Sequence, residues 1–147
     1  MTLFSIKFLS ACILFVLSAA VPLTAAFADE EPEPSDKAAG VLDQYERTGE
    51  FQSCLNLRRI AQIKPLDAHY FLVRVNGGRR YLNIVTNGCR GAARSGNRIQ
   101  YTTSTGRLCR NEIINVVDNT TGVLSGSCGL GSFERLERKE ENEAIDQ

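Results

Sequence analysis

Residues 69–85 read HYFLVRVNGGRRYLNIV, and this stretch decides the fold. Over 69–75 the pattern alternates, with Phe71, Val73 and Val75 on one face, the period of a strand lying on a core. Asn76, Gly77 and Gly78 follow, residues that accept positive φ, and 79–85 is again β-rich. Two such runs joined by Asn-Gly-Gly predict a hairpin.

Working outward, the sequence predicts further strands at 55–60, 98–103, 112–117 and 123–128. The last two flank a turn cluster, Asp118-Asn119-Thr120-Thr121-Gly122. Ten glycines lie between Phe51 and Phe133, which favours short strands and tight turns over long helices. Ala38, Val41, Leu42 and Tyr45 recur at helical spacing, so a short helix is expected over about 36–47, ending near Gly49 and docking one apolar face. The expected fold is mainly β: a small disulfide-stapled antiparallel barrel or sandwich with one short N-terminal helix. A barrel is attractive because so small a domain leaves few sheet edges open.

The chain has 147 residues, enough for one small domain once its ends are set aside. Lys7 is the single charge before Asp29, and an uncharged run leads to Ala26-Phe27-Ala28, a small-x-small cleavage signal. Residues 1–28 therefore read as a secretory signal peptide. The lipobox-like Leu9-Ser10-Ala11-Cys12 is followed by more apolar sequence, so a lipid anchor at Cys12 is not expected. The expected location is periplasmic or secreted, with no transmembrane helix in the mature chain. The division reads as signal peptide 1–28, acidic linker with short helix 29–50, β domain 51–135 and charged tail 136–147. Residues 29–36 (DEEPEPSD) look too charged and proline-rich to bury anything. From Glu134 onward the sequence looks helix-prone, with frayed helix or disorder as its default.

Seventeen basic and seventeen acidic residues cancel overall, but they are segregated. Residues 29–50 carry eight acids against Lys37 and Arg47, a net of −6. Residues 51–133 carry eleven bases, ten of them Arg, against Asp67, Glu112 and Asp118, a net of +8. Residues 134–147 carry a net of −3.

Cys54, Cys89, Cys109 and Cys128 remain after cleavage, and an even count in an exported domain points to disulfides. Three connectivities are possible. The one favoured here is Cys89–Cys109 with Cys54–Cys128, tying the middle loops and then the domain's two ends. No C-x-x-C occurs, so neither metal binding nor redox chemistry has a local motif.

The order of these cysteines with their neighbours carries a resemblance. Cys54-Leu55-Asn56-Leu57-Arg58-Arg59-Ile60 comes first, then Asp67, Tyr81-Leu82-Asn83 and Cys89-Arg90-Gly91. Arg98-Ile99-Gln100-Tyr101, Leu108-Cys109, Ile113-Ile114-Asn115-Val116 and Cys128-Gly129-Leu130-Gly131-Ser132-Phe133 complete the pattern. Over about residues 50–135 the chain resembles a family of small exported proteobacterial proteins classed as a domain of unknown function. It departs from that pattern at Arg90, where Pro or Ser is usual, and at Asn111-Glu112, where an Asp tends to sit. The resemblance implies a Gram-negative envelope location and no particular activity.

Catalytic motifs are sparse. His69 is the one imidazole and reads as a strand-edge residue. Ser125-Gly126 lacks the preceding glycine of a nucleophile elbow. Gly91 to Gly96 has P-loop glycine spacing without the Lys and Ser/Thr that hold phosphate. Asp67 and Asp118 read as turn acids. The expectation is a protein that is not an enzyme and that needs no metal or cofactor.

What remains is arginine. Arg58 with Arg59, Arg79 with Arg80, and Arg90, Arg94 and Arg98 cluster locally, and each guanidinium offers a planar donor fork for carboxylate or phosphate. An Arg-rich face that binds an acidic protein or an anionic envelope surface is the leading expectation. Nucleic acid is not expected, because no aromatic-interleaved platform accompanies the charge. If the acidic segment 29–50 masks this face, deleting it strengthens retention on an anionic matrix. The alternative is a secreted inhibitor of an envelope or foreign hydrolase, presenting a loop bracketed by Cys89–Cys109.

Overall fold

The computed structural model describes residues 30–139. The signal segment, its cleavage point, Cys12 and the chain from residue 140 lie outside the described residues. Helix α1 (Asp36–Leu42) is followed by β1 (Tyr45–Gln52), β2 (Cys54–Asn56), a 3-10 turn (Leu57–Arg59), β3 (Ile60–Pro65), β4 (Tyr70–Val75) and β5 (Arg80–Ile84). Then come β6 (Asn97–Tyr101), β7 (Arg107–Cys109), β8 (Ile113–Asp118), β9 (Leu124–Gly129) and β10 (Phe133–Arg138).

The hairpin read from residues 69–85 is present as β4 and β5. Leu72 faces Leu82 and Val73 faces Tyr81, with Gly77 and Gly78 at φ of 91° and 82° in the turn. It sits inside a five-stranded antiparallel sheet of order β1-β10-β5-β4-β3. A three-stranded sheet, β6-β8-β9, and a two-stranded one, β2-β7, complete the set. The result is sandwich-like and mainly β, with no closed barrel. β1 and β3 are the edges of the large sheet, and β6 and β9 those of the three-stranded one.

Alternation divides the large sheet into two faces. Phe71, Val73, Val75, Tyr81 and Phe133 pack inward against Leu108, Ile114, Val116 and Leu130. Tyr45, Tyr70, Leu82 and Leu136 form a second buried cluster on the other face, which α1 covers through Ala38 with Val41 and Leu42 beside it. Ser35 caps that helix, its Oγ accepting from the Ala38 N–H at 3.3 Å.

Both ends of the domain depart from the sequence reading. The helix stops at Leu42 instead of 47, and Tyr45 opens a strand. Residues 134–138, read as helix-prone tail, form most of β10 in the interior of the sheet between β1 and β5. The boundaries expected at 50/51 and 135/136 therefore fall inside β1 and β10. Long-range pairing overrides local propensity here: Tyr45 faces Arg138 and Arg47 faces Leu136, so each strand supplies the other's ladder. The run expected at 55–60 also divides, into β2, the 3-10 turn and the start of β3.

Burying a charged strand needs compensation. Glu134, only 4% exposed, receives Arg47 Nε at 2.7 Å and the Gly49 N–H at 3.2 Å. The same guanidinium reaches Glu31 Oε1 at 2.7 Å. The Tyr70 hydroxyl is shared between Glu31 Oε1, at 2.9 Å, and the Pro32 carbonyl. The segment read as burying nothing is thus an arm fastened to the sheet. The paired guanidinium holds the Glu31 carboxyl below its usual range, against an opposing effect of burial. At Asp67 burial pushes upward, and the N–H groups of Ser35, Tyr70 and His69 outweigh it, leaving the carboxyl below its usual range. Tyr70 is pushed up to about 12, by burial first and then by Glu31, so its hydroxyl stays a donor.

These shifts fix the sign of the acid response. Carboxyls depressed in the folded state stabilise it above their unfolded values, 4.5 for Glu31 and 3.8 for Asp67, and that stabilisation is lost as pH falls through the folded values. Urea midpoints are expected to be level above about pH 5.5 and to fall progressively below that. A midpoint rising between pH 5 and 3 would contradict the arm's attachment.

The disulfides differ from the favoured pairing. Cys54 joins Cys109 with Cα atoms 3.9 Å apart, and Cys89 joins Cys128 with Cα atoms 5.2 Å apart. Strand register is the physical reason. Cys54 and Cys109 are direct partners across β2 and β7, which excludes Cys109 from Cys89. Cys89 is fully buried and ties the loop after β5 to β9.

Candidate functional site

Register also decides which arginines meet. β5 begins at Arg80, which faces Leu136 of β10, so Glu137 and Arg138 run past its end. The hairpin turn bends over that gap and leaves a notch of about 310 Å³ lined by Gly77, Gly78, Arg79, Arg80 and residues 135–138. Arg79, Arg80, Arg135 and Arg138 are among its lining residues, and Glu137 is the one acidic residue in that lining among the described residues.

Tyr45 organises two of them. The Arg80 and Arg138 Cζ atoms lie 5.5 Å and 5.9 Å from the centre of its ring, within cation–π range. The ring is largely buried, so it holds two like charges at one place. Arg74 is the cross-strand partner of Arg80, which adds a third like charge where opposed like charges are unfavourable. Arg135 pairs with Glu137 at 3.0 Å and with Glu50 at 3.3 Å. Arg80 Nη1 donates to the Gly78 carbonyl at 3.1 Å. The arrangement is a concave surface with excess positive charge and planar donors, suited to a carboxylate or phosphate group.

Two of the seven arginines singled out in the sequence, Arg79 and Arg80, line this notch. Arg79 also lines an adjoining cleft with Arg59. The Arg59 carbonyl accepts from the Asn76 N–H at 2.7 Å, and the Arg58 carbonyl from Asn76 Nδ2 at 3.4 Å, which pins the 3-10 turn to the hairpin turn. Arg90, Arg94 and Arg98 line neither cleft. Arg98 borders a separate groove between β3 and β6, and its Nη1 donates to Asn119 Oδ1 at 3.1 Å. The backbone of Arg90 lies against Gly126. Sequence reasoning missed Arg135 and Arg138, because both sat in a stretch read as tail, and it missed the ring of Tyr45 beneath Arg80 and Arg138.

The masking idea needs correction. Among the described residues, the carboxylates from 30–50 that form ion pairs engage Arg47, Arg135 and Lys139, not the seven arginines. Deleting 29–50 would also remove α1 and most of β1. The loop proposed for an inhibitor loses its bracket with the revised disulfides, and residues 97–101 and 107–109 within it are strands.

The candidate catalytic residues have structural partners. His69 Nδ1 lies 2.8 Å from the Val85 carbonyl, which only accepts, so this nitrogen carries the proton. Asp67 Oδ1 accepts from the His69 and Tyr70 N–H groups at 2.7 and 2.8 Å. Asp118 Oδ1 accepts from the Thr120 and Thr121 N–H groups, and Glu112 Oε2 from the Cys109 N–H at 2.8 Å. Among the described residues no three of His, Cys, Asp and Glu are placed to hold a metal ion, and no helix is long and apolar enough to cross a membrane. Comparison with known proteins finds no family model that matches this chain, no matching curated protein and no matching solved structure.

Proposed function

We propose that this chain is an exported, non-enzymatic envelope protein that binds an acidic partner or anionic surface through the arginine notch. The observation that carries the reading is that Arg79, Arg80, Arg135 and Arg138 all line one concavity, with Glu137 its one acidic lining residue among the described residues. Two stapled disulfides suit an oxidising compartment, and the signal-like residues 1–28 supply the route to the periplasm. A like-signed concavity focuses potential and speeds capture of an opposite charge.

Two probes test it: a fluorescent deca-glutamate peptide, and vesicles of phosphatidylglycerol compared with phosphatidylcholine. Binding to an anionic probe is expected at low salt and is screened at 0.5 M salt. Arg79→Gln with Arg80→Gln is expected to weaken it about fivefold, the loss of two partly exposed charge contacts. Arg90→Gln with Arg94→Gln is expected to leave it unchanged. Absence of binding to both anionic probes, or a larger effect from the Arg90 and Arg94 pair, overturns the reading.

A further inference from the structure

Four strands end the two larger sheets: β1, β3, β6 and β9. An open edge is a template for another chain, and a bulge blunts it. β1 carries extra residues against β10 between Arg47 and Phe51. β3 carries one against β4 between Ile60 and Gln62, and β9 one against β8 between Leu124 and Gly126. Of these four, β6 alone keeps an unbroken register with its neighbour, from Asn97 facing Asp118 to Tyr101 facing Ile114.

Just beyond that register the Asn119 N–H donates to the Gly96 carbonyl at 2.8 Å. Alternation then turns the main-chain groups of Arg98 and Gln100 toward β8, and those of Ile99 and Tyr101 away from it. On that side lies the groove shared with β3, of about 390 Å³. Half-buried Ile60, Ile63, Ile99 and Tyr101 line it with buried Ala92. Across the groove β3 is the poorer edge, with its bulge and with Pro65, which has no N–H to donate.

We infer that β6 is a docking strand, to which an extended segment of an acidic partner adds edge to edge, laying alternate apolar side chains along the groove. This surface lies outside the arginine notch and does not depend on it. Charge selects the occupant. β3 and β6 carry Lys64 and Arg98 and no acid, and residues 68–111 hold eight arginines without one Asp or Glu. Arg98 is exposed at the groove, and its hydrogen-bond partner Asn119 is neutral. Asp118 of β8 directs Oδ1 to the Thr120 and Thr121 N–H groups. Residues opposite Ile99 and Tyr101 would present apolar side chains to the groove and their N–H groups to β6. The residues between them share the face of Arg98, where a carboxylate is the favourable cross-strand neighbour. A second copy brings the same basic strand and is the weaker fit.

The test titrates the full chain with the synthetic peptide EVEVEVE and follows backbone amides by NMR and hydrogen exchange. The Ile99 and Tyr101 amides are expected to shift, and to exchange about tenfold more slowly once free peptide exceeds its dissociation constant tenfold. The same peptide with N-methylated valines cannot donate to β6 and is expected to bind about tenfold more weakly. Arg98→Glu is expected to weaken binding about threefold, the effect of an exposed charge contact. Deca-glutamate has no apolar side chains for the groove and is expected to leave the Ile99 and Tyr101 amides unchanged. Absence of EVEVEVE binding, equal binding of the N-methylated peptide, or shifts at Arg79 and Arg80 in place of Ile99 and Tyr101 overturns the inference. Protection of Ile99 that rises with protein concentration in the absence of peptide assigns the edge to a second copy and overturns it as well.

Discussion

Replacing Cys54 and Cys109 together by alanine is expected to lower unfolding free energy by about 4 kcal/mol. The crosslink spans 55 residues of sequence, and in the chain-entropy account a loop of that size restricts the unfolded ensemble by about this amount. Cys89 and Cys128, 39 residues apart, are expected to contribute nearly as much, about 4 kcal/mol on the same account. Total stability of small domains is about 5–15 kcal/mol, so removing both bridges leaves little or no folded protein. Urea unfolding of each double-alanine variant checks this. The cost should be the larger at Cys89 and Cys128 if packing matters as well as entropy, because Cys89 is fully buried inside the main cluster while Cys54 is only half-buried. A loss below about 1 kcal/mol for either pair would contradict the stapled account.

The second large effect is expected at the turn from β9 to β10. Asn83 is fully buried, and its side-chain amide works as a bracket on Gly131. Nδ2 donates to the Gly131 carbonyl at 2.7 Å, and Oδ1 accepts from the Gly131 N–H at 3.0 Å. Gly131 also lies so close to the backbone of β5 that an added Cβ would collide with the Ile84 carbonyl oxygen. Gly131→Ala is expected to cost about 3 kcal/mol, because rigid backbone cannot yield as a flexible side chain can. Asn83→Leu keeps the volume but leaves two partly buried backbone groups of Gly131 without the amide that pairs them, and is expected to cost about 2 kcal/mol. Both substitutions act on one contact, so the double variant should lose much less than the sum. Thermal or urea unfolding of the three proteins measures that coupling, and strictly additive losses would refute the bracket.

Local signals made the β4–β5 hairpin legible, along with the approximate positions of β6, β8 and β9. Alternation, turn glycines and β-branched residues all act within a few positions. The terminal strands were not legible. Tyr45 and Arg138 are neighbours only because β1 and β10 pair across the whole domain, and nothing in ERLER announces an interior strand. The signal that could have identified it is compensation. Glu134 and Arg47 each look like surface charges locally, yet together they satisfy a buried carboxylate. The disulfide partners depended on the same long-range register, since Cys54 and Cys109 meet through β2 and β7. For the site, arginine content was legible and its geometry was not. Arg79 and Arg80 stood out as a pair, whereas Arg135 and Arg138 join them only when β10 lies beside β5.

The central claim is that these arginines form one anion site. Its most direct test is an NMR titration of the full chain with deca-glutamate at low salt, following the Arg Nε–Hε signals. The account predicts saturable shifts at Arg79, Arg80 and Arg138, with Arg90, Arg94 and Arg98 unmoved. Shifts spread evenly over all arginines, or confined to Arg90, Arg94 and Arg98, would contradict it.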